Sequence, residues 1–129
     1  MTEGDRVAES GKVPSGAVTF GDLSSDEPFP GVRRQSFSTA GATITRYSFA
    51  PGASFPLHSH GQEQITVVEE GRVEMTIDGE PLSLDAGAWS VVARSVSHGI
   101  VAGDEGARIV AIVVPRRDRP DDITITEGE

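Results

Sequence analysis

The sequence predicts an all-β fold, a sandwich or a barrel, and three observations support this prediction. From Val32 onward, short β-branched runs are separated by Gly, Pro and Asp at roughly eight- to twelve-residue intervals, a spacing typical of β-sandwiches and barrels. No segment shows the apolar period of an amphipathic helix. The 129 residues suffice to bury one core and are too few for two catalytic domains.

The predicted elements follow in chain order. Residues 1–16 are polar and lack a sustained apolar pattern, so we expect a flexible tail. Residues 17–114 form the predicted barrel, beginning with a short edge strand over 17–23. Residues 24–30 are interpreted as irregular because their two prolines disfavour both helix interiors and central strands. Further strands are predicted over 32–38, 42–49, 54–58, 62–69, 72–77, 80–84, 88–92, 97–101 and 107–114.

Turn signals separate these strands. Asp78-Gly79 supplies the positive φ angles of a type I′ hairpin turn. Glu70-Gly71 and the stretch from Gly103 to Gly106 predict further tight corners. Residues 115–129 are charged, and we expect this segment at the surface, with Ile123–Thr126 as a candidate last strand.

Composition excludes several function classes. Twenty acidic against eleven basic residues give a net charge of −9, the wrong sign for binding nucleic acid or an anionic membrane. The longest aliphatic run, Ile109–Val114, has six residues, against about 20 for a membrane span. Cysteine is absent, which excludes disulfides and thiolate sites. The first residues show no secretory signal pattern, so we expect a cytoplasmic protein that binds a small molecule.

Three side chains are available for imidazole chemistry: His58, His60 and His98. In an extended segment, residues i and i+2 point to the same face, so His58 and His60 reach one centre. Gln64 shares their parity, and His98 arrives from a distant strand. Three imidazoles with one carbonyl oxygen suit zinc, copper, iron, nickel or manganese better than calcium or magnesium.

The spacing of these residues resembles the two sequence motifs of the cupin family. Gly52, His58-Ser-His60, Gln64 and Gly71 match G-x5-H-x-H-x3,4-E-x6-G, and Gly87 with His98 resembles part of G-x5-P-x-G-x2-H-x3-N. The resemblance implies a double-stranded β-helix, or jelly roll. It also implies one divalent ion, manganese, iron, nickel or zinc, bound by His58, His60, Gln64 and His98. Cupins are commonly dimers, so we expect a homodimer paired through the 32–38 strand or the N-terminal strand.

Four positions depart from the motifs. Gln64 stands for Glu, Ala93 for Pro, Ser95 for Gly and Ala102 for the final Asn. The Pro and Gly changes affect a turn that other residues form at modest cost. The Gln leaves a divalent ion its full charge, and four protein ligands leave two positions for water or substrate. Both features favour a catalytic over a structural site.

The His-Ser-His-x3-Gln pattern further resembles small cupins of the pectin-degradation type, which linearise 4,5-unsaturated uronates. In that group an acidic residue, a Phe and an Arg near the end of the last strand take part in catalysis. The corresponding positions here are Ala111, Val113 and Arg117. The resemblance therefore makes Arg117 a catalytic candidate. At the acidic position this chain has Ala111, which carries no carboxyl group. Arg117 also fits a solvated surface run with Arg116 and Arg119.

Several function hypotheses follow. The leading one is a metal-dependent enzyme of the lyase or isomerase type, whose ion polarises a small sugar-acid-like, enol or phenol substrate. Arg46 and Tyr47 are further catalytic candidates, and only one of these strand neighbours can face the interior. Glu63 is another candidate for proton transfer. The alternatives are a non-catalytic binding or sensor cupin and an oxygen-dependent dioxygenase. Trp89 and Met75 are predicted to pack in the core.

Overall fold

A computed structural model describes residues 12–119 and 122–126. Among these residues, no helix has the length and apolar character needed to cross a bilayer. A short 3-10 helix covers Phe20–Asp22. The strands are β1 (Asp26–Phe29), β2 (Val32–Ser38), β3 (Thr43–Phe49), β4 (Ser54–Ser59), β5 (Glu63–Ile77), β6 (Glu80–Asp85), β7 (Trp89–Val92), β8 (His98–Val114) and β9 (Thr124–Ile125).

The strands form one curled antiparallel sheet around a shared interior. β5 and β8 are long and pair with each other along most of their length. The first half of β5 and the second half of β8 join a layer with β7, β3, β2 and β1. The other halves join a second layer with β6, β4 and β9. This jelly-roll barrel confirms the predicted fold class.

The strands β5 and β8 bend at the positions where the sequence predicts tight turns between separate strands. Pairing between the two strands continues past Glu70-Gly71 and Gly103, with irregular register around Gly71. Gly71 has a φ of +75°, and a Cβ there would lie 2.2 Å from the carbonyl oxygen of Gly106. Only glycine permits this approach. The prediction of four separate strands was wrong because bulged bends turn the barrel corner without leaving the sheet.

The edge strand predicted over residues 17–23 was also wrong. The 3-10 turn takes its place, and the side chain of Gln35 holds the segment against β2. Gln35 Nε2 donates to the carbonyl oxygens of Phe20 (2.7 Å) and Leu23 (3.1 Å). These side-chain bonds satisfy backbone acceptors that a strand ladder would otherwise pair.

Residues 24–30, predicted to be irregular, contain β1. Pro28 lies within this strand, where its missing N–H is tolerated for two reasons. β1 is the edge strand of its layer, and its register with β2 is irregular between Asp26 and Phe29.

Both ends of the described chain contact the barrel. The Val13 N–H donates to the Ser38 carbonyl (2.7 Å), and Val13 is buried. β9 pairs with the end of β4, which confirms the candidate last strand. Residues 1–11 of the predicted tail lie outside the described residues. The division into tail, barrel and charged C-terminal segment stays a prediction.

The core lies between the two layers. Met75 is fully buried, as predicted. Trp89 is 61% exposed, so its prediction as a core residue was wrong. The inward positions of β7 are Ser90 and Val92, which turn Trp89 and Val91 outward.

Candidate metal centre

Three histidines and one glutamine meet inside the barrel. His58 and His98 are direct partners across β4 and β8, and His60 follows the end of β4. Gln64 enters from the opposite layer on β5. All four side chains are buried, and the histidines offer ligand atoms within 4.8 Å of one another. The sequence predicted that His58, His60 and Gln64 point to the same face, and the structure brings the three side chains together. His98 joins them because its strand pairs with that of His58.

The backbone fixes the orientation of each imidazole ring. Every Nδ1 lies within hydrogen-bond distance of a carbonyl oxygen two residues away. The pairs are His58 with Pro56 (2.8 Å), His60 with Gln62 (3.0 Å) and His98 with Val96 (2.9 Å). Because a carbonyl only accepts, each Nδ1 carries the proton and donates. Each Nε2 then keeps a lone pair for a ligand role, as in metal-binding histidines generally.

The amide of Gln64 completes a set of acceptor atoms. Its Oε1 lies 3.0 Å from His60 Nε2 and 3.3 Å from His98 Nε2, while its Nε2 donates to Thr66 Oγ1 (3.0 Å). With protons on Nδ1, the facing Nε2 and Oε1 atoms all accept. Acceptors this close need a positive centre between them, a proton or a metal ion. Nitrogen ligands with one neutral oxygen fit a divalent transition metal.

The environment keeps the imidazoles neutral. Burial is the largest cause, and it lowers the pKa of His58 to about 3 and that of His98 to about 4. The pKa of His60 is lowered as well, first by burial and then by the charge of Arg117. Neutral imidazole is the form that binds a metal ion, so the cluster is in its ligating state at neutral pH.

The turn before His98 keeps its shape despite the departures from the cupin motif. The Val96 N–H donates to the Ala93 carbonyl (3.3 Å), and the Ser95 N–H donates to the His60 carbonyl (2.8 Å). Ser95 adopts a φ of +64° where the motif has glycine. This left-handed conformation costs a non-glycine residue about 1–2 kcal/mol. The turn therefore still leads the chain into His98, and the left-handed backbone of Ser95 is the energetic cost.

Tyr47 lies near the histidines and lines the same cavity as His58, Gln64 and His98. Tyr47 faces the interior from β3, and its partner on β2 is Arg34. Both are buried. Burial raises the pKa of the Tyr47 hydroxyl, and the positive charges of Arg117 and Arg34 partly offset this rise. The phenol therefore stays protonated at neutral pH. Arg34 also forms a two-point hydrogen-bonded pair with Asp26 on β1.

The other catalytic candidates predicted from the sequence, Arg46, Glu63 and Arg117, lie in different parts of the structure. Arg46 faces outward, 4.5 Å over the Phe20 ring and 3.3 Å from a carboxylate oxygen of Glu69. Glu63 is exposed. Arg117 is partly buried, and its backbone N–H donates to Thr43 Oγ1 (2.9 Å). Of these residues, Arg117 is the one that lies with Tyr47 near the histidines.

Sequence reasoning missed Arg34. Arg34 lies two residues after the buried Val32, on the same face of β2, and it is paired with Tyr47. These two relations place it in the interior. The pairing could not be read without the register of β2 and β3.

The positions that carry the acid and the Phe in pectin-degradation cupins are inward-facing here. Ala111 and Val113 are buried on β8, and Ala111 is paired with Thr45 on one side and Thr66 on the other. These two residues bring no carboxylate and no aromatic ring to the centre.

A small cavity of about 20 Å³ adjoins the cluster. Such a volume has room for one water-sized group. Its lining comprises Tyr47, Phe49, Phe55, His58, Gln64, His98, Ile100 and Ile109. Aromatic and aliphatic side chains therefore line one part of the cavity, and His58, Gln64 and His98 line the other.

Comparison with known proteins gives matches along the barrel. The Cupin_2 family model, described as a cupin domain, matches residues 45–114. The pectin degradation protein KdgF of Dickeya dadantii is 33% identical over 70 residues, which cover 54% of this chain and 64% of that protein. The dimethylsulfoniopropionate lyase DddW of Ruegeria pomeroyi is 37% identical over 60 residues, covering 46% and 40%. The alignments thus span less than two thirds of either relative.

A solved structure agrees with these matches. The structure of KdgF from Halomonas sp. aligns with a TM-score of 0.72 at 26% identity, covering 78% of this chain and 93% of that chain.

Proposed function

This chain belongs to the cupin family, and from that premise we propose that it is a metal-dependent enzyme acting on a small substrate with an anionic oxygen. The observation that carries the proposal is the convergence of three imidazole nitrogens and one amide oxygen, each imidazole oriented by a backbone carbonyl. His58, His60, Gln64 and His98 hold one divalent ion, manganese, iron, nickel or zinc. When bound, the ion supplies Lewis acidity toward a substrate oxygen.

Arg117 is the proposed binding residue for the anionic oxygen. Its positive charge acts on all three histidines and on Tyr47, which supports a position close to both the cluster and the tyrosine. A guanidinium pairs with a carboxylate or enolate through charge-assisted hydrogen bonds. Arg117 would therefore orient the substrate toward the four metal-binding side chains.

Tyr47 is the proposed proton donor. The positive charges of Arg34 and Arg117 act on Tyr47, and a guanidinium group, which only donates hydrogen bonds, cannot accept the phenolic proton. In the proposed reaction the Tyr47 hydroxyl donates its hydrogen to a substrate atom. Because Ala111 brings no carboxyl group to the centre, proton transfer is assigned here to Tyr47.

The relatives support a reaction class. One is described as a pectin degradation protein and the other as a lyase of dimethylsulfoniopropionate. A sugar-acid-like substrate and a lyase or isomerase reaction are therefore the first choice, and an enol or phenol substrate is the second.

Metal content tests the first part of the proposal. The purified protein, stripped with chelator and reloaded with manganese, iron, nickel or zinc, should bind one ion per chain by elemental analysis. His58→Ala should lose the ion while keeping a β-sheet circular dichroism spectrum. A folded wild-type protein that binds none of the four metals would contradict the proposal.

Turnover tests the second part. The metal-loaded protein is incubated with 4,5-unsaturated uronates, and the reaction is monitored by the ultraviolet absorbance of the double bond. The assay is then repeated with enol and phenol substrates. Arg117→Met should lower kcat/KM by about 100-fold or more, the size expected for a charge-assisted contact to the reacting oxygen, without changing metal content. Arg119→Met is the matched control, because Arg119 is exposed, and it should leave turnover unchanged.

The alternatives predict different outcomes. Metal-dependent oxygen consumption with enol or phenol substrates would favour a dioxygenase. Stoichiometric metal with no change in any substrate would favour a binding or sensor cupin. The cytoplasmic location and the homodimer expected from the sequence stay predictions.

A further inference from the structure

Arg117 lies on a segment that belongs to no strand. β8 ends at Val114, and residues 115–119 are in neither a helix nor a strand. The proposed substrate contact nevertheless requires the Arg117 guanidinium to stay near the histidines and Tyr47. A side chain on a backbone without fixed contacts loses more conformational entropy when it binds. The backbone of Arg117 therefore needs an attachment to the barrel.

The hydroxyl group of Thr43 supplies this attachment. Thr43 is the first residue of β3 and is buried. The Arg117 N–H donates to Thr43 Oγ1 (2.9 Å), and the same oxygen lies 3.4 Å from the Arg117 carbonyl oxygen. One side chain thus contacts both backbone polar groups of a residue that lies 74 positions further along the chain.

A second hydroxyl supports Thr43. Ser38, the last residue of β2, is the strand partner of Thr43, and their Oγ atoms are 2.9 Å apart. A hydroxyl group donates one hydrogen and accepts two. All three contacts are satisfied together when Ser38 donates to Thr43 and Thr43 donates to the Arg117 carbonyl. The pair of hydroxyls therefore holds the Arg117 backbone from both sides of its peptide plane.

Strand register places this attachment close to the metal centre. Thr43 is paired with Val113 of β8, and Val113 is paired with Gln64 of β5. Neighbouring strands are about 4.8 Å apart, so the backbone of Thr43 lies about 10 Å from that of Gln64. Thr43 also shares the inward face of β3 with Tyr47. Arg117 is thus attached to the inner face that carries a metal-binding side chain and the proposed proton donor.

The neighbouring arginine has a different environment. The positive charge of Arg117 lowers the pKa of His60, second only to burial. Arg116 instead pairs with the exposed Asp118 (3.0 Å). The attachment at Thr43 therefore distinguishes one arginine of the 116–119 run from the next.

We propose that Thr43 is a positioning residue, whose hydroxyl fixes the backbone of Arg117 and thereby makes Arg117 the substrate-binding member of the arginine run. The functional half of this inference rests on the proposed function, in which Arg117 binds the anionic oxygen. Removal of the Thr43 hydroxyl keeps the charge of Arg117 and loses its fixed position. Thr43 itself touches neither the metal-binding side chains nor the substrate in this proposal.

Amide hydrogen exchange tests the attachment without any substrate. In the full-length ¹⁵N-labelled protein, Thr43→Val should speed exchange of the Arg117 amide at least about fivefold, the factor expected for the loss of one hydrogen bond. Thr43→Ser keeps the hydroxyl and should keep the protection. Thr45→Val is the matched control, because Thr45 is also a buried threonine of β3, but its hydroxyl contacts Ser36 (2.8 Å). It should leave exchange of the Arg117 amide unchanged.

A double-mutant cycle tests the consequence for turnover. Thr43→Val should lower kcat/KM by about 10–100-fold, the size typical of partners that orient a functional side chain, with unchanged metal content. In the Arg117→Met background the same substitution should cause no further loss, because Thr43 acts through the arginine. Thr43→Ser should restore kcat/KM. A purely structural role of Thr43 would lower turnover equally in both backgrounds.

Thermal melts check that the variants fold, and Thr43→Ala is a second variant without the hydroxyl. An Arg117 amide that exchanges equally fast in the wild type and in both hydroxyl-free variants would overturn the attachment. An equal loss of kcat/KM with and without Arg117 would overturn the positioning role. If no substrate is turned over, the proposed function fails, and the exchange comparison still decides whether Thr43 holds Arg117.

Discussion

Acidification should destabilise the metal-free protein through its histidine cluster. In the unfolded chain each histidine titrates near pH 6.5, whereas in the fold His58 has a pKa of about 3 and His98 of about 4. Between these values and pH 6.5 the unfolded state binds more protons. The free energy of unfolding is therefore fully present above pH 6.5 and falls as the pH decreases through this window.

The size of the effect follows from the same values. At pH 5 an unfolded histidine gains about 2 kcal/mol from protonation, while His58 and His98 in the fold gain almost none. The two residues together lower stability by about 4 kcal/mol between pH 7.5 and pH 5, and His60 adds to the loss in the same direction. This is a large part of the roughly 5–15 kcal/mol available to a domain.

Asp26 does not contribute in this pH range. Its carboxyl pKa lies below 3.8 because of the hydrogen bond from Arg34, so its contribution is retained above that pH and lost only in stronger acid.

Urea unfolding in the presence of chelator, followed by circular dichroism at pH 7.5 and pH 5, measures the loss. His58→Gln removes one titrating group, and its pH-dependent loss should be smaller by about 2 kcal/mol. Equal stability of the wild type at both pH values would refute the assignment of buried, neutral histidines. An unchanged pH dependence in His58→Gln would show that other groups carry the effect.

Three further substitutions test packing and positioning. Ser95→Gly should raise stability by about 1 kcal/mol because it relieves the left-handed conformation, and a thermal melt checks this. Thr66→Val should lower metal affinity by about 10–100-fold by removing the acceptor of the Gln64 amide, measured by titration calorimetry with zinc; retained wild-type affinity would exclude Thr66 as a positioning residue. Met75→Ala should cost about 2–5 kcal/mol because Met75 is fully buried, and a loss below 1 kcal/mol in urea unfolding would contradict the core assignment.

Local patterns were sufficient for much of the fold and for bringing His58, His60 and Gln64 together as candidate metal ligands. Alternation along the chain identified most strands to within one or two residues, because a strand with one buried face must repeat every second residue. The spacing of His58, His60 and Gln64 was informative for the same reason. Once the two motifs matched, His98 followed from the resemblance.

The same local reasoning failed where contacts between distant segments decide the outcome. Glu70-Gly71 has the composition of a turn, but Gly71 lies against Gly106 and the strand continues through the bend. Trp89 is apolar and lies in a strand, yet nothing in a four-residue strand tells which side faces the core. Its neighbours Ser90 and Val92 face inward because of their pairing with β5.

The sequence by itself determined the fold class, the family and the four residues of the candidate metal centre. The fold class follows from periodicity within single stretches of chain, whereas the family and the four-residue set follow from the resemblance to the two cupin motifs. Only the tertiary structure decided that Tyr47 rather than Arg46 faces the interior, that Arg34 joins it, and that Arg117 returns to the barrel. It also decided which apolar side chains remain exposed, Trp89 and Val91 among them. These properties depend on strand register, and register joins residues that are far apart in the chain.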